Sequence, residues 1–120
     1  MNIEESILRS LDQISFREPT KIQQETIPLI REGHDVIGQS ETGTGKTGAF
    51  GIPLVEKVKR GVRTQALILV PTRELALQIT NELAKFSRHK GLHIVCVYGG
   101  AAMEPQVRGI RTAEIVVGTP

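Results

Sequence analysis

Ser40-Glu41-Thr42-Gly43-Thr44-Gly45-Lys46-Thr47 is the stretch that decides how this chain reads. It follows the short apolar segment Asp35-Val36-Ile37-Gly38 and opens a helical run from Lys46 to Arg60. Strand, glycine-rich turn and a helix beginning Gly-Lys-Thr are the parts of a phosphate-binding loop for a nucleoside triphosphate. The glycines let the backbone curl so that several N–H groups face one anion. The helix start adds unpaired donors and the positive end of its dipole. Lys46 can then reach the outer phosphates, and the Thr47 hydroxyl can ligate Mg²⁺. Ser40, Glu41, Thr42, Gly43, Thr44, Gly45, Lys46 and Thr47 are therefore the candidate nucleotide-binding residues, with Lys46 and Thr47 the candidate catalytic pair and Thr47 the metal ligand.

The usual pattern begins with Gly, and Ser40 stands there instead. A rival pattern occupies the same residues, because Gly43, Gly45 and Gly48 spell the dinucleotide fingerprint G-x-G-x-x-G. That reading needs the first glycine directly after the strand and an acid closing the next strand. Here Gln39 to Thr42 intervene, and the next strand ends Leu69-Val70-Pro71. Lys46-Thr47 inside the glycines suits a triphosphate better.

Helices and strands alternate along the rest of the chain. Ile7, Leu8, Leu11 and Ile14 form an amphipathic first helix after a possible Asn2 cap. A second helix runs from near Thr20 to Arg31 across Pro28, with Gly33 as its stop. Strands are expected at Asp35–Gly38, Ala66–Val70, Ile94–Tyr98 and Ile115–Val117. The continuous apolar run Ala66–Val70 reads as a strand buried on both faces. Between the strands lie the helix from Lys46, with a bend expected at Pro53, a helix from Thr72 to Lys90 striped by Leu75, Ile79, Leu83 and Phe86, and a short helix near Pro105. This order predicts an α/β fold, a parallel sheet with flanking helices.

Composition excludes several classes. At 120 residues and 39% apolar content the chain reads as one globular domain at most. Its longest apolar run, Ala66 to Val70, is far short of the roughly 20 residues of a membrane span. The acidic start Met1-Asn2-Ile3-Glu4-Glu5 has no apolar targeting core, which points to the cytoplasm. Cys96 is the only cysteine and reads as a buried, inert thiol. His89 and His93 are split by Gly91, so they are not read as a metal pair. A net charge of +2 does not by itself imply nucleic acid. Lys57, Lys59, Arg60 and Arg63 read as a solvated helix end.

Beside the phosphate loop, the remaining punctuation resembles DEAD-box RNA helicases. Phe16-Arg17-Glu18-Pro19-Thr20-Lys21-Ile22-Gln23 looks like their Q motif, and Pro71-Thr72-Arg73-Glu74-Leu75-Ala76 is similar to motif Ia. Gly99-Gly100 resembles the GG motif and Thr119-Pro120 the opening of motif Ib. Order and spacing fit over essentially the whole chain. The resemblance implies a RecA-like ATP-binding domain, truncated, with residues 1–33 as the Q-motif region and 34–120 running from the phosphate loop to motif Ib. ATP and Mg²⁺ are the implied cofactors and RNA the implied partner, with no membrane. The Gln23 amide would match the adenine edge and Phe16 would stack on the ring. Pro71, Thr72, Arg73, Gly99, Gly100, Thr119 and Pro120 would follow an RNA backbone.

Each motif also has a purely structural reading. Thr20-x-x-Gln23 is a capping box, Thr72 an N-cap, and Gly99-Gly100 a tight turn. The sequence further departs from the family pattern, with Ser40 where Ala is usual, Ser15 where Gly is usual, and no isolated aromatic upstream. The Asp-Glu-Ala-Asp and Ser-Ala-Thr motifs and the second RecA-like domain are not within these 120 residues. The reading is thus the N-terminal part of an ATP-dependent RNA helicase that couples hydrolysis to local duplex unwinding in the complete protein. The chain alone is expected to show no turnover and to be marginally folded, because Asp35–Gly38 would lack its neighbouring strand. A non-catalytic nucleotide- or RNA-binding fragment, a DNA-directed helicase and another phosphate-loop ATPase remain alternatives.

Overall fold

A computed structural model describes residues 5–13, 20–39, 46–99 and 103–120, with the backbone alone for Asp12, Gln13, Met103 and Glu104. Eight elements follow in chain order: α1 (Glu5–Gln13), α2 (Lys21–Arg31), α3 (Lys46–Lys57), β1 (Ala66–Leu69), α4 (Arg73–Phe86), β2 (Ile94–Val97), α5 (Met103–Ile110) and β3 (Ile115–Gly118). The strands form one parallel sheet in the order β1-β3-β2, with Ala66 and Ile94 both in register with Ile115.

Local chemistry sets the helix limits. Thr20 and Gln23 close a reciprocal capping box at the start of α2, and Pro28 is carried inside the helix. Gly33, at φ +88°, ends it: the left-handed turn is open to glycine without a Cβ penalty. α3 stops at Lys57, three residues before the expected Arg60, and Gly61 turns the chain at φ +87°. Thr72 caps α4 by accepting from the Leu75 N–H at 3.2 Å, and α4 closes at Phe86 rather than Lys90. The expected Asn2 cap and Ile14 lie outside the described residues.

One apolar cluster holds the layers together. Ile115 and Val117 of β3 pack with Ile52 and Val55 of α3, Ile79, Leu83 and Phe86 of α4, and Ile7 and Leu11 of α1. Leu8 does not belong to that stripe; it is 48% exposed. α3 and α4 approach closely because Gly51 has no side chain: a Cβ there would lie 2.9 Å from Leu83 Cδ2. On the other face of the sheet α5 packs over β2, where a Cβ on Gly109 would lie 3.2 Å from Val95 Cγ2.

Two strand expectations need correction. Asp35–Gly38 joins no ladder and has no regular structure. It keeps a strand's alternation, with Val36 and Gly38 toward α2 and α3 and Ile37 98% exposed, but the described strands pair only among themselves. A strand needs a neighbour for its N–H and C=O groups, and none of the described residues supplies one. Nor is β1 buried on both faces: Ala66 and Ile68 meet the core, while Leu67 and Leu69 are 62% and 65% exposed. Only the central β3 is buried along its whole length, because sheet neighbours flank it and helices lie on both faces.

Leu67, Leu69 and Ile37 therefore present apolar surface, and such surface favours self-association. We expect the 120-residue chain to self-associate at high concentration. Substituting Leu67→Thr and Leu69→Thr together should raise the monomer fraction in sedimentation without lowering the melting temperature, since threonine is β-branched and suits an exposed strand position. Unchanged association would assign it to another surface.

Candidate functional site

α3 begins at Lys46, so the first four N–H groups of a 12-residue helix have no partner within the helix. Lys46 is exposed and Thr47, the second helical residue, is half-buried. Both stand at the positive end of the helix dipole, which favours an anion. Ser40, Glu41, Thr42, Gly43, Thr44 and Gly45 lie outside the described residues, as do Phe16 and Gly100.

Gln23 connects the second helix to this helix start. It is only 1% exposed, and its Oε1 accepts the Thr20 N–H at 3.0 Å. Its Nε2 lies directly over Gly48, so close that a Cβ on Gly48 would collide with it. The capping box and the placement beside the phosphate-loop helix are thus one arrangement. The cap uses one acceptor position of Oε1; a carbonyl oxygen has two. Gly48, the third glycine of the rival dinucleotide pattern, serves here to admit a side chain from α2.

Two further links fix α2 on α3. Arg31 forms a forked pair with Glu56, Nε to Oε1 at 3.0 Å and Nη2 to Oε2 at 2.8 Å. Thr26 donates to the Ile22 carbonyl at 2.7 Å, and a longer contact of 3.5 Å reaches the Ala49 carbonyl. A cavity of ≈ 280 Å³ lies between the two helices and residues 36–38, lined by Ile22, Thr26, Ile30, Val36, Ala49 and Phe50, with Lys46 at its side. Its lining is largely apolar, so it suits a triphosphate less well than the start of α3, where backbone donors and Lys46 lie.

A second group of residues gathers at the carboxyl edge of the sheet. The Val70 N–H donates to the Gly118 carbonyl at 3.0 Å and the Thr119 N–H to the Val97 carbonyl at 3.1 Å. Pro71, Thr72, Arg73, Gly99, Thr119 and Pro120 are thereby brought together from three strand ends. Ligands of parallel α/β sheets bind at this edge. Sequence reasoning missed Tyr98 and Gln106. The Arg73 guanidinium lies 4.9 Å from the centre of the Tyr98 ring, and Gln106 Oε1 accepts the Tyr98 N–H at 2.9 Å. Tyr98 is the only tyrosine and directly precedes Gly99-Gly100, which was a usable signal; Gln106, on a separate helix, gave none.

Comparison with known proteins agrees with this geometry. The DEAD/DEAH box helicase family matches residues 20–120. The DEAD-box ATP-dependent RNA helicase CshA of Streptococcus pneumoniae is 48% identical over 122 residues, covering 100% of this chain and 23% of that protein. A DEAD box protein from Methanococcus jannaschii superposes with a TM-score of 0.95 at 41% identity, over 100% of this chain and 33% of its own. A hypothetical ATP-dependent RNA helicase from Sulfolobus tokodaii gives 0.89 at 34% identity, over 98% of this chain and 34% of its own. The fold is therefore RecA-like, and the chain belongs to the DEAD/DEAH box helicase family. It spans about a quarter of the curated relative and about a third of each solved one.

The Gln23–Gly48 contact sets two effects against each other. Gly→Ala inside a helix gains roughly 0.5–1 kcal/mol, whereas overpacking a close contact costs about 1–3 kcal/mol. We expect Gly48→Ala to lower the urea midpoint of the chain. A raised midpoint would show that Gln23 yields freely.

Proposed function

We propose that this chain forms the ATP-binding, RNA-contacting start of an ATP-dependent RNA helicase. The observation that carries the proposal is the position of Gln23 over the helix that begins Lys46-Thr47. One helix start offers donors and a cation to phosphates, while a buried amide beside it offers a donor and an acceptor to a base edge. The adenine of ATP presents the matching pair. The Lys46 ammonium lies beside the β- and γ-phosphates in this reading and stabilises the charge that develops during transfer.

Mg²⁺ fits the residues on hand, because ions of this kind are held largely by phosphate oxygens and water with few protein ligands. The Thr47 hydroxyl is the ligand proposed here, and the bound ion would neutralise charge between the outer phosphates. The RNA backbone runs along the carboxyl edge of the sheet, across the start of α4 and Arg73, then past Gly99 and Thr119. Backbone phosphates are contacted there with little regard to sequence. No described helix is long and apolar enough to cross a membrane; we place the protein in the cytoplasm.

In the full-length polypeptide, Lys46→Ala should abolish RNA-stimulated ATP hydrolysis. Calorimetry should show ADP binding more tightly than GDP, and Gln23→Ala should erase about 1–3 kcal/mol of that preference. Equal affinities for ADP and GDP in the unsubstituted protein would remove the adenine role and leave Gln23 a cap alone.

Tyr98 gives the RNA path its own test. Stacking on Tyr98 orients the Arg73 guanidinium while leaving its N–H edges for phosphate. An exposed cation–π contact contributes about 0.5–1 kcal/mol, so Tyr98→Ala should weaken single-stranded RNA binding roughly two- to fivefold. Tyr98→Phe should bind as the parent does. A loss in the phenylalanine variant would assign the effect to the hydroxyl.

A further inference from the structure

The amino edge of the sheet, opposite the motif-bearing edge, carries an unusual charge. Three loops meet there: residues 58–65 before β1, 87–93 before β2 and 111–114 before β3. Hydrogen bonds join them into one surface. The Thr64 N–H donates to the Ala113 carbonyl at 2.7 Å, the Gln65 N–H to the Glu114 carbonyl at 2.8 Å, and the Glu114 N–H to the His93 carbonyl at 3.0 Å. Thr112 Oγ1 lies 2.9 Å from His93 Nδ1.

Counting Lys57 at the end of α3, this edge holds seven of the chain's fifteen Lys and Arg residues but only one of its thirteen acids, Glu114, which is buried. The bland explanation is that cations complement the negative ends of helices that finish here. It accounts for two of them. Lys57 Nζ donates to the Ile30 carbonyl, and Lys90 Nζ to the Val55 and Glu56 carbonyls at 2.7 and 2.9 Å.

Lys59, Arg60, Arg63, Arg88 and Arg111 remain. All five are exposed, and none of their side chains has a hydrogen bond or ion pair among the described residues. The acid nearest in sequence to the first loop does not neutralise them, because Glu56 is paired with Arg31. A Cβ on Gly91 would lie 3.6 Å from Arg60 Nε, so Arg60 reaches from the first loop onto the second. The first loop has a defined shape. The Gln65 amide bonds the N–H and carbonyl of Lys59, and Thr64 is held at φ +45°, which is costly for a β-branched residue.

We propose that this edge is a second binding surface for the phosphate backbone of RNA, separate from the motif-bearing edge. A strand of four residues at about 3.3 Å each puts roughly 13 Å between the two edges. The chemistry favours a polyanion over a folded acidic protein. The cations form a band across three loops, four of the five are arginines suited to forked phosphate contacts, and Val62 is the only large apolar side chain exposed there. Protein interfaces are anchored by buried aromatic and apolar side chains, which this band lacks. The inference goes beyond the proposed helicase function, which uses the other edge.

The test uses the full-length polypeptide, without nucleotide, titrating a fluorescent oligouridylate at several salt concentrations. Each lost phosphate contact lowers the salt slope by about 0.7 for a single strand. The triple variant Arg60→Gln, Arg63→Gln, Arg88→Gln should lower the slope by about two, and the matching triple lysine variant should restore it. A slope unchanged in a folded glutamine variant overturns the proposal and returns these residues to helix-end electrostatics. Polyglutamate displacing the RNA from this edge as well as oligouridylate does, at equal charge, overturns it in favour of an acidic protein. RNA-stimulated ATP hydrolysis of the same preparations reports separately on the helicase reading. An unchanged slope with intact hydrolysis sinks only the second surface, and a lowered slope without hydrolysis sinks only the helicase reading.

Discussion

The candidate nucleotide site depends on how closely α2 can lie against the first turn of α3. Gly48 sets that distance, because a single added carbon there would meet the Gln23 amide nitrogen. Gln23 is in turn held by its own helix cap, through the Thr20 N–H. The Arg31–Glu56 fork joins the far ends of the same two helices. Half-buried, with good geometry, it makes a firmer clasp than an exposed pair such as Arg9–Glu5. The amide over the helix start is thus set by backbone caps and packing, leaving few rotamers to lose on binding.

The same parallel sheet separates two kinds of polar surface. Strand ends and helix starts meet at the carboxyl edge, where the first turn of α4 and the exposed Arg73 lie. Helix ends and strand starts meet at the amino edge, where Lys57 and Lys90 satisfy carbonyls and five further cations stay free for solvent or a partner. The alternation of helix and strand creates both edges, but only the first follows from fold geometry alone. The charge of the second is a feature of this sequence.

Much of this was legible from residue pattern. The helices from Lys21, Lys46 and Arg73 start where capping and glycine signals put them, and three of the four expected strands pair in parallel. The failures share one cause. An apolar run reports a tendency to be buried, not what buries it. Ala66–Val70 therefore read as covered twice although Leu67 and Leu69 face outward, and Asp35–Gly38 read as a strand although no described strand adjoins it. Candidate site residues that adjoin in sequence could be grouped by spacing alone. The Tyr98–Arg73 stack and the joining of Arg60 and Arg63 with Arg88 and Arg111 link residues far apart in the chain, and Gln106 supports Tyr98 from a separate helix, so spacing did not show these contacts. Arg60 beside Gly91 is such a pair, invisible until two loops are seen to touch.

The central claim is that Gln23 acts on the nucleotide through its fit over Gly48. A double-mutant cycle on ADP affinity in the full-length polypeptide tests it, measuring the parent, Gly48→Ala, Gln23→Ala and the double variant by calorimetry. If Gly48→Ala acts by displacing the amide, it should weaken ADP binding in the parent and do little once Gln23 is alanine. Equal losses from Gly48→Ala in both backgrounds would contradict the account, because the two residues would then reach the nucleotide independently.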